Sequence, residues 1–232
     1  MRRPERKDRI FADHRYVPPH NVEDWRQFVR AVAARYRHNV WYWGLWNEPN
    51  RDFFRGTVDQ YVTLIATPAA EILHAIGPEN RVCGPDLATE GDWPSWFRRM
   101  LMGTRGLLDI VTVHSYQPDG LAVWRALTQE PPWHEPWRPP GVRQVMASAG
   151  AGHLPLWLTE SGWWAESPGE EAHQADAVEQ VLEKMQASQA IERFFYYQLI
   201  DEPREKRGAY RDNGSPKPVV EVFRRFSPGA VV

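Results

Sequence analysis

Glu48 and Glu160 are singled out by where they stand. Glu48 follows the aromatic and β-branched run 40–46, and Glu160 follows the apolar run 155–159, so each acid sits where a strand would end. One carboxylic acid can protonate a leaving oxygen while a second carboxylate attacks the neighbouring carbon, or activates water there. Together these steps cleave a glycosidic bond. Carboxyls about 5–5.5 Å apart give retention of configuration, and a gap of roughly 6.5–9.5 Å gives inversion. A lone glutamate after a strand is usually a solvated loop acid. Here Trp46-Asn47-Glu48-Pro49 sets an amide donor beside the acid, and proline fixes the turn after it. A third polar residue, His114, ends the β-branched run 110–114.

The elements that must position these residues alternate. Asn21 stands as an N-cap before a 3.6-residue stripe of Trp25, Phe28, Val29, Val32 and Tyr36, which predicts a helix over 22–36. A buried strand is expected at 40–46. Thr57 and Gln60 form a capping-box pattern before a second helix, which Pro68 should kink and Gly77-Pro78 should stop. Strands are predicted at 81–85, 110–114, 155–159 and 193–198, and helices at 94–104, 141–149 and 218–226. Ser167, Pro168 and Glu170 open a further helix whose buried face is Val178, Val181, Leu182 and Met185. Residues 118–140, crowded with prolines, read as a long irregular loop.

Strict alternation implies parallel strands joined by right-handed helical crossovers, in either an open doubly wound sheet or a (β/α) barrel. No Gly-rich phosphate loop follows any strand, which weakens the nucleotide-binding form of the first. In a barrel, functional residues gather at the strand ends, where Glu48, His114 and Glu160 stand. Residues 1–232 show no linker or repeat and read as one domain.

Composition narrows the classes. Twenty-eight basic against 30 acidic residues leave a net charge of −2, which gives no electrostatic case for nucleic acid. The single cysteine, Cys83, excludes an internal disulfide and a cysteine-rich zinc site, and it reads as a small buried hydrophobe. The eight histidines are scattered, with no pair at ligand spacing on one element, so a metal-dependent hydrolase is disfavoured. No run approaches the ~20 apolar residues of a membrane span, and the first residues lack a signal-peptide stretch. The compartment is therefore undecided between cytoplasmic and secreted. Twelve tryptophans are many for this length, and they suit both sugar stacking and core filling.

Taken in order, the motifs resemble clan A glycoside hydrolases, most nearly family 39 and more distantly family 5. Residues 41–50 (WYWGLWNEPN) resemble the fourth-strand motif, 109–116 (DIVTVHSY) the sixth and 156–162 (LWLTESG) the seventh. Residues 194–198 (FFYYQ) are similar to the eighth, and 213–218 (NGSPKP) to the turn before the last helix. The resemblance implies a retaining O-glycosidase of β-linked sugars on a (β/α)8 TIM-barrel fold, with Glu48 as acid/base and Glu160 as nucleophile. It implies no metal or cofactor. Asn47 would donate to the sugar 2-hydroxyl, while His114 and Tyr116 would line the floor and orient the nucleophile. Trp163 and Trp164 would be sugar platforms or core residues. Tyr196 stands where the family usually offers a tryptophan.

By the same resemblance only strands four to eight are present, so the barrel reads as truncated at its N-terminus. Residues 9–12 are the candidate remnant of strand three. His14 is the candidate for the active-site histidine of the early strands, and the corresponding arginine has no candidate. An open arc leaves two strand edges and an apolar face, so a second polypeptide completing the barrel is an expected partner. The alternative is a catalytically inactive fragment that at most binds carbohydrate.

Overall fold

The computed structural model describes residues 16–129 and 140–226. The expected strand remnant at 9–12, and His14, lie outside these residues. Five parallel strands form one sheet in sequence order: β1 (Tyr42–Gly44), β2 (Arg81–Ala88), β3 (Ile110–His114), β4 (Leu156–Ser161) and β5 (Arg193–Tyr196). Consecutive parallel strands need crossovers, and helices supply them. They are α1 (Val22–Tyr36), α2, α3 (Trp93–Gly103), α4 (Gly120–Thr128), α5 (Val142–Ser148), α6 (Pro168–Ala187) and α7 (Val219–Phe226). The compound α2 runs through Val58–Gln60, a π-helical Tyr61–Ala66, and Thr67–Ile76. This is the strand-four-to-eight half of a (β/α)8 barrel. None of the described helices is long and apolar enough to cross a membrane.

Local sequence explains most of the ends. Asn21 accepts from the Glu23 N–H at 3.0 Å, and both capping boxes form, Thr57 with Gln60 and Ser167 with Glu170. Pro68 cannot donate an N–H, and the chain meets it with the π-helical segment, whose Ile65 carbonyl accepts from Trp25 Nε1 at 3.0 Å. The core lies between the helices and the outward residues of the strands, among them Val82, Leu87, Val111, Val113, Leu156 and Leu158. The inward face carries a small cluster of Cys83, Ile110 and Trp157. Burial pushes the Cys83 thiol up to about 12, with the Asp86 charge adding to it, so this cysteine is a packing residue.

Three expectations are corrected. The run at 40–46 is not a buried strand: only Tyr42–Gly44 pairs, at the edge of the sheet among the described residues, and Trp41 and Tyr42 are 46% and 48% exposed. Residues 118–140 are not wholly irregular. Asp119 caps the Ala122 N–H at 2.7 Å and opens α4, which buries Val123, Trp124 and Leu127. β2 does not stop at Pro85 but continues to Ala88, with a register shift between Pro85 and Leu87.

Candidate active site

The ends of β1, β2, β3 and β4 meet on one rim. Glu48 adopts φ 43°, and its N–H donates to the Asp86 carbonyl at 3.1 Å. Two residues on, Asn50 takes both backbone groups of Ala88, donating to its carbonyl at 2.9 Å and accepting from its N–H at 3.1 Å. The turn after β1 is thereby fastened to β2 on either side of Pro49. His114 closes β3, in register with Ala88 on one side and Glu160 on the other. The Ser115 N–H donates to the Glu160 carbonyl at 3.0 Å, so the nucleophile candidate is held at the backbone as well.

The side chains converge on the imidazole of His114, which is only 3% exposed. Its Nδ1 lies 2.9 Å from Glu48 Oε1 and 3.4 Å from Glu160 Oε2. One ligand atom from each of the three residues lies within 4.8 Å of the other two, so the carboxyls of Glu48 and Glu160 face one small space. The Tyr116 hydroxyl donates to Glu160 Oε2 at 2.9 Å. Burial, and then the Glu160 charge, push the phenol up, so Tyr116 stays a donor. On the far side of the ring, Nε2 lies 3.7 Å from Asp86 Oδ1, an ion-pair distance rather than a hydrogen bond.

Burial alone would lower the histidine, but its carboxylate neighbours outweigh it. Asp86, then Glu48, then Glu160 push His114 up to about 9, leaving it an imidazolium at neutral pH. The same cluster is close enough to hold a cation only if Nδ1 sheds the proton that it shares with Glu48. Two carboxyls suffice for glycoside cleavage without one.

Not every expected residue joins the cluster. Asn47 is exposed beside Glu48. Trp163 is buried, donating from Nε1 to the Gln117 carbonyl at 2.9 Å, and belongs to the core. Trp164 is 39% exposed. Tyr196 does not reach the rim: its ring packs on Phe223 of α7 at 5.3 Å, and its hydroxyl donates to the Arg207 carbonyl at 2.8 Å. Its neighbour Tyr197 is placed there instead, edge-on to Tyr116 at 6.4 Å.

Sequence reasoning missed two residues. Asp86 lies past the proline at which the strand was expected to stop. Arg207, from the loop after β5, sets its guanidinium 5.0 Å from the centre of the Tyr116 ring and 5.7 Å from that of Trp164. Nothing in the charged run 202–207 distinguishes Arg207 from its neighbours.

The family described as glycosyl hydrolases family 39 matches residues 6–201. A monomeric β-xylosidase from Caulobacter crescentus CB15 superposes with TM-score 0.70 at 20% identity, over 92% of this chain and 48% of that one. A glucosidase from Croceicoccus marinus gives 0.68 at 20% identity, over 90% and 46%. The GH39 enzyme from Xanthomonas axonopodis pv. citri gives 0.64 at 24% identity, with the same two shares of 90% and 46%. The chain thus spans about half the length of these solved structures. No curated protein sequence matches it. With the family motif running from before the first described element to the loop after β5, the chain belongs to glycosyl hydrolases family 39.

Proposed function

We propose that this chain carries the catalytic half of a retaining glycoside hydrolase acting on β-linked O-glycosides. The observation that carries the reading is the meeting of Glu48 and Glu160 across His114, with carboxylate oxygens within 4.8 Å. An inverting enzyme holds its carboxyls roughly 6.5–9.5 Å apart to admit a water. In the first step Glu160 attacks the anomeric carbon, and the proton of Glu48 passes to the departing glycosidic oxygen. In the second, Glu48 takes a proton from water, whose oxygen displaces Glu160 from the covalent glycosyl-enzyme. Tyr116 donates to Glu160 Oε2, which leaves Oε1 free for the attack. Asn47 is assigned to the 2-hydroxyl of the sugar and the exposed Trp164 to its apolar face.

Aryl β-xylosides and β-glucosides are the substrates to assay first, since a β-xylosidase and a glucosidase share the fold. Glu48→Ala and Glu160→Ala are each expected to abolish their hydrolysis, with azide restoring turnover to the second as a glycosyl azide. Either variant working near the parent rate ends the assignment.

A second reading, carbohydrate binding without turnover, is favoured by the open inward face of the sheet. Tyr42 and Phe195 there are 48% and 46% exposed. A closed barrel covers this face with further strands. Hydrolysis of any aryl glycoside by the purified chain excludes the second reading.

A further inference from the structure

Asp86 is held from three directions for a residue with no packing role. Its N–H donates to Thr112 Oγ1 on β3 at 2.9 Å, its carbonyl accepts from Glu48, and its Oδ1 accepts from Thr159 Oγ1 on β4 at 2.6 Å. Its φ of 55° lies in the left-handed region, which disfavours non-glycine residues, Asp and Asn least. Glycine or asparagine would serve the backbone equally well. The carboxylate is therefore the distinguishing feature, and it faces Nε2 of a histidine whose other nitrogen touches the acid/base. The charged groups around that imidazole are Glu48 from the turn after β1, Asp86 from β2 and Glu160 from β4. Beyond β3, Tyr116 bonds Glu160, and Arg207 lies over the Tyr116 ring.

The state of this ring decides where Glu48 carries its proton. A neutral imidazole with a free Nδ1 lone pair would accept the acid's proton at Oε1 and draw it toward the floor of the site. An imidazolium donates from Nδ1 to Oε1, so the acid's own proton resides on Oε2, available to a leaving group. We propose that Asp86 is a positioning residue that holds His114 doubly protonated, its Nε2–H turned to the Asp86 carboxylate, so that Nδ1–H donates to Glu48 and the transferable proton stays on the outward oxygen. The proposal rests on the assignment of Glu48 as acid/base. The upward displacement of His114 agrees with it.

The test is a pH titration of 13C-histidine-labelled full-length chain by NMR, with His114→Gln identifying the His114 signal. In the parent His114 stays charged through neutral pH and titrates near 9. In Asp86→Asn the midpoint falls by roughly one pH unit or more. On an alkyl glycoside, whose basic leaving group needs the transferred proton, kcat of that variant falls above the new midpoint while KM hardly moves. Asp86→Gly, which suits the left-handed backbone, gives the same shift should the asparagine variant fold poorly. An unmoved midpoint in a folded variant overturns the proposal, as does a lowered midpoint with no new limb in the kcat profile of an active enzyme. A lowered midpoint with no turnover in any variant, the parent included, refutes the hydrolase reading and leaves the Asp86–His114 couple standing.

Discussion

Lys217 is a buried cation whose removal should be costly, and the structure gives the size of the effect. Its side chain is 1% exposed, and Nζ donates to Asp201 Oδ1 at 2.9 Å, the Ala165 carbonyl at 2.9 Å and the Lys206 carbonyl at 3.2 Å. Asp201, itself 6% exposed, also accepts from the Gly208 N–H at 2.8 Å. One ammonium thus ties the loop after β4 to the loop after β5, which carries Arg207. Lys217→Ala strands a buried carboxylate and leaves two carbonyls without this donor. Breaking such a pair from one side costs about 3–5 kcal/mol. In a chain of this size each kcal/mol lowers Tm by about 2–4 °C, so the variant should melt roughly 6–20 °C below the parent. Replacing both partners, as Lys217→Met with Asp201→Leu, should recover much of the loss, because no uncompensated charge remains. Thermal melts by circular dichroism measure all three proteins. A single variant melting within 2 °C of the parent refutes the view that this pair locks the two loops.

The site makes two further predictions. Tyr116→Phe removes the hydroxyl that donates to Glu160, a hydrogen bond to a charged group worth about 1.5–3 kcal/mol, so kcat/KM should fall roughly 10–150-fold with the fold intact. Steady-state kinetics on an aryl glycoside checks it. His114 titrates near 9 when folded against an ordinary value of 6.5. A folded value above the unfolded one gives stabilisation that is complete below pH 6.5 and is lost as pH rises through 9. Urea midpoints measured from pH 6 to 10 should therefore decline more steeply in the parent than in His114→Gln.

The strand ends were legible because chemistry-bearing residues followed β-branched or aromatic runs: Glu48, His114 and Glu160 meet where that pattern puts them. Capping boxes were legible too, since Thr57/Gln60 and Ser167/Glu170 are local devices that tertiary context leaves alone. What failed was non-local. Pro85 argued for a strand stop, yet the bulge that follows it carries β2 on to Ala88 and turns Asp86 into the site. Tyr196 and Tyr197 exchanged places because side chains alternate faces, and a register shift between Leu158 and Ser161 offsets β4 against β5. Aromatic residues at 41–46 looked buried because composition cannot tell a central strand from one that, like β1 among the described residues, pairs on one side. The prolines after residue 130 masked α4, whose apolar spacing of Val123, Trp124 and Leu127 was present all along.

Covalent trapping tests the central assignment most directly. The chain is incubated with an activated 2-deoxy-2-fluoro-β-glycoside, which slows breakdown of a glycosyl-enzyme, and the digested protein is mapped by mass spectrometry. The account predicts one fluoroglycosyl group per chain, esterified to Glu160 and absent from Glu160→Ala. A label on any other carboxylate, or hydrolysis of the parent glycoside with no covalent label, contradicts it.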